Sequence, residues 1–192
     1  MTNIKPLNRI IVFALAFVMI LGSFAGGFGS LGVELAMAET TVIETNEAFA
    51  AMEPGGNYEL GADITITEPY GQEFSGTFDG KGHTVTLAIE GSNSNVGLFS
   101  KLGSTAVVKK VHTSGSVSGT EYVGGITGLN AGEIISCKNT AAISATGRYV
   151  GGIAGKTTGT IQDCYNTGEI SSTRTRSGVN LGGITGYLDG GS

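Results

Sequence analysis

The sequence repeats itself, and that restricts its fold more than any single motif does. Val123-Gly124-Gly125-Ile126-Thr127-Gly128 returns as Val150-Gly151-Gly152-Ile153-Ala154-Gly155 and again as Leu181-Gly182-Gly183-Ile184-Thr185-Gly186, at spacings of 27 and 31 residues. Behind the first two copies the match continues, with Gly132 to Thr140 opposite Gly159 to Thr167. A degenerate earlier copy opens at Val96-Gly97-Leu98-Phe99 and runs through Val108, Val111 and Val117, one residue out of step in its middle. Units this short cannot bury an apolar face alone, so successive units must stack.

The local pattern decides what fills each unit. Apolar segments such as those around Ile134/Cys137 and Ile161/Cys164 are cut by Gly, Asn, Thr and Ser every few residues. No window holds the 3.6-residue periodicity long enough for a helix. Short strands joined by glycine turns at a fixed period predict an all-β chain that winds once per repeat, a parallel β-helix or solenoid. Coils then lie about 4.8 Å apart, so residues one repeat apart become neighbours. This register puts Cys137 over Cys164 with Val111 below, and Ile134 over Ile161 with Val108 below. Tyr122 falls on Tyr149, Glu121 on Arg148 as an opposite-charge pair, and Asn139 on Asn166, whose amides can hydrogen-bond along the stack. The Val-Gly-Gly turn requires glycine either for a positive φ or because a Cβ would block a close backbone approach.

These residues carry a family resemblance. Val-Gly-Gly-Ile-x-Gly followed by Gly-Thr-Ile-Gln-Asp-Cys-Tyr-Asn-Thr-Gly-Glu-Ile at 159–170 resembles the GLUG-motif repeat of bacterial cell-surface proteins. The segments at 57–64 and 74–85 resemble the lead-in that precedes such repeats, so the likeness covers about residues 45–192. It implies a right-handed β-helix within large secreted or wall-attached proteins, some adhesins and some IgA-cleaving metallopeptidases, and it implies no single activity.

Upstream of the repeats, residues 39–95 are expected to supply an N-terminal cap and the first coils. Asn46 to Met52 predicts one or two helical turns with Asn46 or Thr45 as the N-cap, ended by Pro54-Gly55-Gly56. Strands are expected near 57–60, 63–67, 74–78 and 83–89. Residues 1–38 follow the order of a secretory signal peptide: Lys5 and Arg9, the apolar run Ile10 to Leu21, then Ala36-Met37-Ala38 as a cleavage site. That apolar run is shorter than the roughly 20 residues a membrane span needs. The membrane is therefore expected to be met only during export.

Composition removes further classes. Export would leave nine basic against fifteen acidic residues, a formal charge of −6, which argues against binding nucleic acid through general basic charge. The two histidines, His83 and His112, sit in unrelated settings without the helical HExxH spacing of a zinc protease. By register Glu133 faces Thr160, Asp163 faces Ser136 and Glu169 faces Ala142, so the repeats stack no carboxylate pair of the kind a glycosidase needs. Asp79 in Asp-Gly-Lys-Gly reads as a turn former before a cation ligand. Cys137 and Cys164 read as free buried thiols before a disulfide, because two inward side chains in register must twist apart to reach the bridge geometry.

The insertion that lengthens one unit to 31 residues holds Ser172-Thr173-Arg174-Thr175-Arg176-Ser177. Arg174 and Arg176 make it a candidate ligand-binding loop for an anionic glycan or a protein carboxylate. The sequence thus predicts a secreted or cell-surface solenoid segment for structural display or adhesion, with no catalytic residues, metal or cofactor, and a host or matrix protein or glycan as partner. The alternatives are the stalk of a larger secreted enzyme, such as an IgA-directed metallopeptidase, and a polysaccharide-active β-helix enzyme. Repeats at 96–192 end in an incomplete coil, so a missing C-terminal region is expected.

Overall fold

The computed structural model describes residues 39–91, 93–175 and 177–190. The signal peptide expected at 1–38 and Arg176 of the candidate loop lie outside the described residues. Strands along the chain enter three long sheets in a constant order, and every pairing is parallel. The first sheet stacks Thr40–Ile43, Asn57–Leu60, Thr77–Asp79, Val107–Lys109, Glu133–Ile135 and Thr160–Gln162. The second runs from Ile64–Ile66 through Thr84–Ile89 to His112–Gly119, on which two short strands follow side by side: Lys138–Asn139, which pairs on with Tyr165–Asn166, and Ala142–Ala145, which pairs on with Ile170–Ser172. The third stacks Tyr70–Phe74, Phe99–Leu102, Thr127–Asn130, Ala154–Thr157 and Thr185–Leu188. This is a parallel β-solenoid with almost no helix.

The predicted ladders are present. Ile134 pairs with Ile161 above and Val108 below, and Lys138 pairs with Tyr165 and His112, which brings Cys137 opposite Cys164 and Val111. The out-of-step segment has a local cause. The turn between Leu102 and Val107 is two residues longer than the turn between Asn130 and Glu133. Offsets therefore change from 28 residues at Phe99↔Thr127 to 26 at Val107↔Glu133. Inward side chains keep their columns because the extra length is spent in a corner and not within a strand.

One local expectation changes. The stretch 74–78 is not one strand: it splits into Tyr70–Phe74 and Thr77–Asp79, with Gly76 in the corner. Phe74 and Phe78 both point inward, which imitates strand alternation, but a Cβ at Gly76 would strike the Gly56 carbonyl of the preceding coil. The helix is a single turn, Asn46–Ala50, capped by Thr45, whose hydroxyl accepts the Ala48 N–H at 3.2 Å. It delivers Phe49 into an aromatic cluster, with ring centroids 5.9 Å from Phe78 and 5.7 Å from Phe99.

The glycines of the repeat turn are there for space. Gly124, Gly125, Gly151 and Gly152 have no positive φ. A Cβ on Gly124 would meet Ile153 O at 2.7 Å, and one on Gly152 would meet Gly183 O and the Asn166 side chain. The left-handed residues of this turn are Tyr122 and Tyr149, at φ of 54° and 58°, each separated from its glycine pair by one valine.

Asparagines close the adjoining corners. Asn139 Oδ1 accepts the Ala141 N–H at 3.0 Å and the Thr113 hydroxyl at 2.7 Å, while its Nδ2 donates to Asn166 Oδ1 at 2.7 Å and to Ala141 O at 3.0 Å. Every polar atom of this buried amide is engaged, which removes the cost of burying it.

Candidate functional site

The 31-residue coil differs from its neighbours by the loop that follows Ile170–Ser172, and this loop folds back on the solenoid. Thr173 N–H donates to Ala145 O at 2.9 Å, Ser172 Oγ donates to Gly147 O at 2.9 Å, and Arg174 N–H donates to Ser172 Oγ at 3.2 Å. At the far end the Val150 N–H donates to Asn180 O at 2.9 Å, so the loop starts and finishes against the segment 145–150. Arg174 is thereby placed at the corner that holds Arg148 and Tyr149. A Cβ added to Gly178 would stand 4.0 Å from Arg148 Nε.

The backbones of Arg148 and Arg174 meet this corner through Ser172 and Gly147, and in both side chains the Nε atom is buried without a hydrogen-bond partner among the described residues. The ion pair expected between Glu121 and Arg148 does not form. The Glu121 side chain packs beside Gly147, whose added Cβ would lie 2.7 Å from Glu121 Cγ, and the inserted loop occupies the other side of Arg148. An arginine is always charged, so a buried Nε–H without an acceptor attracts an anionic oxygen.

Beside the arginines runs a ladder of tyrosines. The rings of Tyr122 and Tyr149 stack with centroids 5.0 Å apart and planes 10° from parallel, and Tyr187 continues the row 5.2 Å from Tyr149. The Lys156 ammonium lies 5.5 Å from the Tyr187 ring centre and 2.7 Å from Asp189 Oδ2. That hydrogen bond to Asp189 raises the Lys156 pKa and keeps the ammonium charged. Lys156 also borders a shallow groove of about 190 Å³ with Leu129 in its lining and Lys101 beside it. Lys101 is likewise paired, with Glu73 Oε2 at 2.6 Å, so both lysines of the groove are charge-balanced beside the aromatic rings.

The structure places Arg174 in the inserted loop, half-buried, and adds Arg148, which the sequence does not single out. The 27-residue register had paired Arg148 with Glu121, and only the path of the inserted loop shows otherwise. Tyr187 was missed because its ring reaches Tyr149 diagonally, while its backbone register partner is Lys156. The remaining chemical candidates lie elsewhere. His83 Nδ1 is 3.2 Å from Asp63 Oδ1, whose pKa is lowered by the Thr84 N–H and by His83. Asp79 accepts the Lys81 N–H at 2.9 Å and faces Lys109 at 3.5 Å, the geometry of a turn former held by cations. His112 stands in register with Lys138.

The family model for the GLUG motif matches residues 146–171, which span the left-handed Tyr149, the Val-Gly-Gly turn and the Asn166 corner. The chain thus carries a GLUG repeat. No curated protein matches the chain. Among solved structures, the fold is similar to the crystal structure of a "putative immunoglobulin A1 protease" from Bacteroides ovatus, with a TM-score of 0.55 and 21% identity. The alignment covers 80% of this chain and 63% of that one, so the GLUG solenoid spans less than two thirds of its structural relative. At that identity the likeness concerns the fold alone.

Proposed function

We propose that this GLUG solenoid is a secreted or cell-surface segment that serves display or adhesion without catalysis, and that its inserted corner holds an anionic glycan. The observation that carries the reading is the pair of buried, unpartnered guanidinium Nε atoms of Arg148 and Arg174 beside the tyrosine ladder. A sulfate or carboxylate accepts from guanidinium in charge-assisted bonds, and tyrosine edges and Lys156 border the sugar rings. In this reading residues 1–38 are removed on export, the solenoid is right-handed as in its family, and the Asn46–Ala50 turn closes its first coils against edge pairing.

The test is binding of the mature chain to a sulfated oligosaccharide, with a neutral oligosaccharide of equal length as control. Binding should weaken with salt, and Arg148→Ala with Arg174→Ala should weaken it about tenfold or more, since hydrogen bonds to charged groups contribute roughly 1.5–3 kcal/mol each. Equal affinity for the neutral chain, or no loss in the double variant, overturns the reading. A second reading, the stalk of a larger secreted peptidase, draws on the likeness to the Bacteroides ovatus protein. It predicts that the solenoid improves cleavage of immunoglobulin A1 by an attached catalytic domain while cleaving nothing itself.

A further inference from the structure

Cys137 and Cys164 hold the same place on consecutive coils, bracketed by the register pairs Ile135↔Gln162 and Lys138↔Tyr165. Their surroundings differ. Cys137 is fully buried, with its sulfur 3.5 Å from Ile135 O and 3.8 Å from Val108 O. Cys164 is only half-buried, beside strands that are the last of their sheets among the described residues. The two sulfurs are not simply stacked one above the other. Cys164 Sγ leans toward the lower coil, where it accepts the Cys137 N–H at 3.3 Å and lies 3.6 Å from Ile134 O. This tilt relieves the obstacle expected for two inward side chains in strict register, because one sulfur already reaches across the gap between coils.

The same contacts separate the two thiols chemically. Hydrogen bonds from the Cys137 thiol and amide hold the Cys164 thiol down to about 7, while donation to Cys164 and burial push the Cys137 thiol up. An accessible sulfur with stabilised negative charge therefore sits against a shielded sulfur that keeps its proton. That is the arrangement of an attacking and a resolving thiol.

We propose that Cys164 and Cys137 are an oxidisable dithiol that a hydroperoxide converts to a disulfide clamping two consecutive coils. The Cys164 thiolate attacks one peroxide oxygen; the S–O bond forms, the O–O bond breaks, and the leaving alkoxide or hydroxide takes up the thiol's proton. Cys164 is oxidised to a sulfenic acid and the peroxide is reduced. Cys137 sulfur then attacks Cys164 sulfur; the S–S bond forms, the S–O bond breaks, and hydroxide leaves with the Cys137 proton as water. In total two thiols and one hydroperoxide give one disulfide, one alcohol or water, and one further water. The clamp joins the last two described coils of the first sheet, packed beside Ile161 and Ile170.

The experiment uses the full mature chain, which has two cysteines in all. Under native conditions iodoacetamide should label Cys164 about tenfold or more faster than Cys137, which reacts only on unfolding. After hydrogen peroxide the intact mass should fall by two hydrogens, neither sulfur should alkylate on unfolding, and digestion should yield peptides joined through Cys137 and Cys164. In Cys137→Ser the reaction should stop at the sulfenic acid, which dimedone traps. If that variant does not fold, the mass and the joined peptides of the unsubstituted chain decide alone. The proposal is overturned if both sulfurs still alkylate after peroxide, if oxygen is retained without a cross-link, or if the cross-link forms only between two chains.

Discussion

The first coils and the GLUG coils solve one packing problem in two ways. Along the third sheet the inward column reads Tyr70, Phe99, Thr127, Ala154, Thr185; along the first it reads Tyr58, Phe78, Val108, Ile134, Ile161. Rings fill the early coils, where Tyr70, Phe78 and Phe99 surround the Phe49 delivered by the helical turn and Phe74 packs behind Phe99. The later coils carry small side chains at the same places, and their backbone closes in until glycine is the only residue that fits the turn. Bulk holds the first region and repetition holds the second. A bulky core tolerates irregular corners, such as the long turn at 103–106, whereas the narrow core requires every corner to match the one below it.

The largest test of this contrast is deletion of a ring. Phe99→Ala should lower stability by about 3–5 kcal/mol, because the cavity left in a crowded aromatic cluster cannot collapse. Thr127→Ala, at the equivalent place one coil on, removes a hydroxyl bonded to Leu129 O at 3.0 Å and should cost about 1 kcal/mol. Urea unfolding with an unchanged slope measures both, and equal costs would mean that the two regions are not packed differently. Next in size comes Gly152→Ala, whose methyl would meet Gly183 O and Asn166 and should cost about 1–3 kcal/mol. Gly183 occupies the same motif position one coil later, where a Cβ meets nothing within 4 Å, so Gly183→Ala should be neutral within about 0.5 kcal/mol. The asparagine corners should show the same gradient on a smaller scale. Asn139→Ala strands the Ala141 N–H and the Thr113 hydroxyl inside the coil and should cost about 1–3 kcal/mol. Asn166→Ala opens a half-buried corner that water can reach, and its midpoint shift should be about half as large.

Much of this was legible because a solenoid turns sequence distance into spatial distance. Once Val-Gly-Gly fixed a 27-residue step, the contacts of Ile134, Asn139 and Tyr122 followed by counting. Counting fails where the step changes. It joined Phe74 to Phe78 across a corner, since an inward residue on each side of Gly76 looks like strand alternation. It also joined Arg148 to Glu121, since the extra residues at 172–180 carry no periodic signal of where they return. The candidate site was half visible for the same reason: Arg174 stands out as a cation in an insertion, but its neighbours depend on a loop path set by single hydrogen bonds to Ala145, Gly147 and Val150.

The smallest expected effect separates the regions by pH. Cys164 titrates at about 7 in the folded coil against an ordinary value of 9.0, so the folded state favours its thiolate. The stability this contributes is complete above the ordinary thiol value and is lost as pH falls through about 7. Cys137 is shifted upward by its bond to Cys164 and by burial, so its contribution is present below the ordinary value and lost as pH rises beyond it. Stability of the GLUG coils should therefore rise from about pH 7 to pH 9 and decline above that, with an amplitude of about 1 kcal/mol once solvent screening of the half-exposed sulfur is allowed for. The first coils hold no cysteine, so amide exchange corrected for intrinsic rate should follow this profile at Ile134 and Ile143 and stay level at Val85 and Leu87. A profile shared by all four positions would mean that the coils unfold as one unit, and the division into a ring-filled and a repetitive half would then describe packing without describing cooperativity.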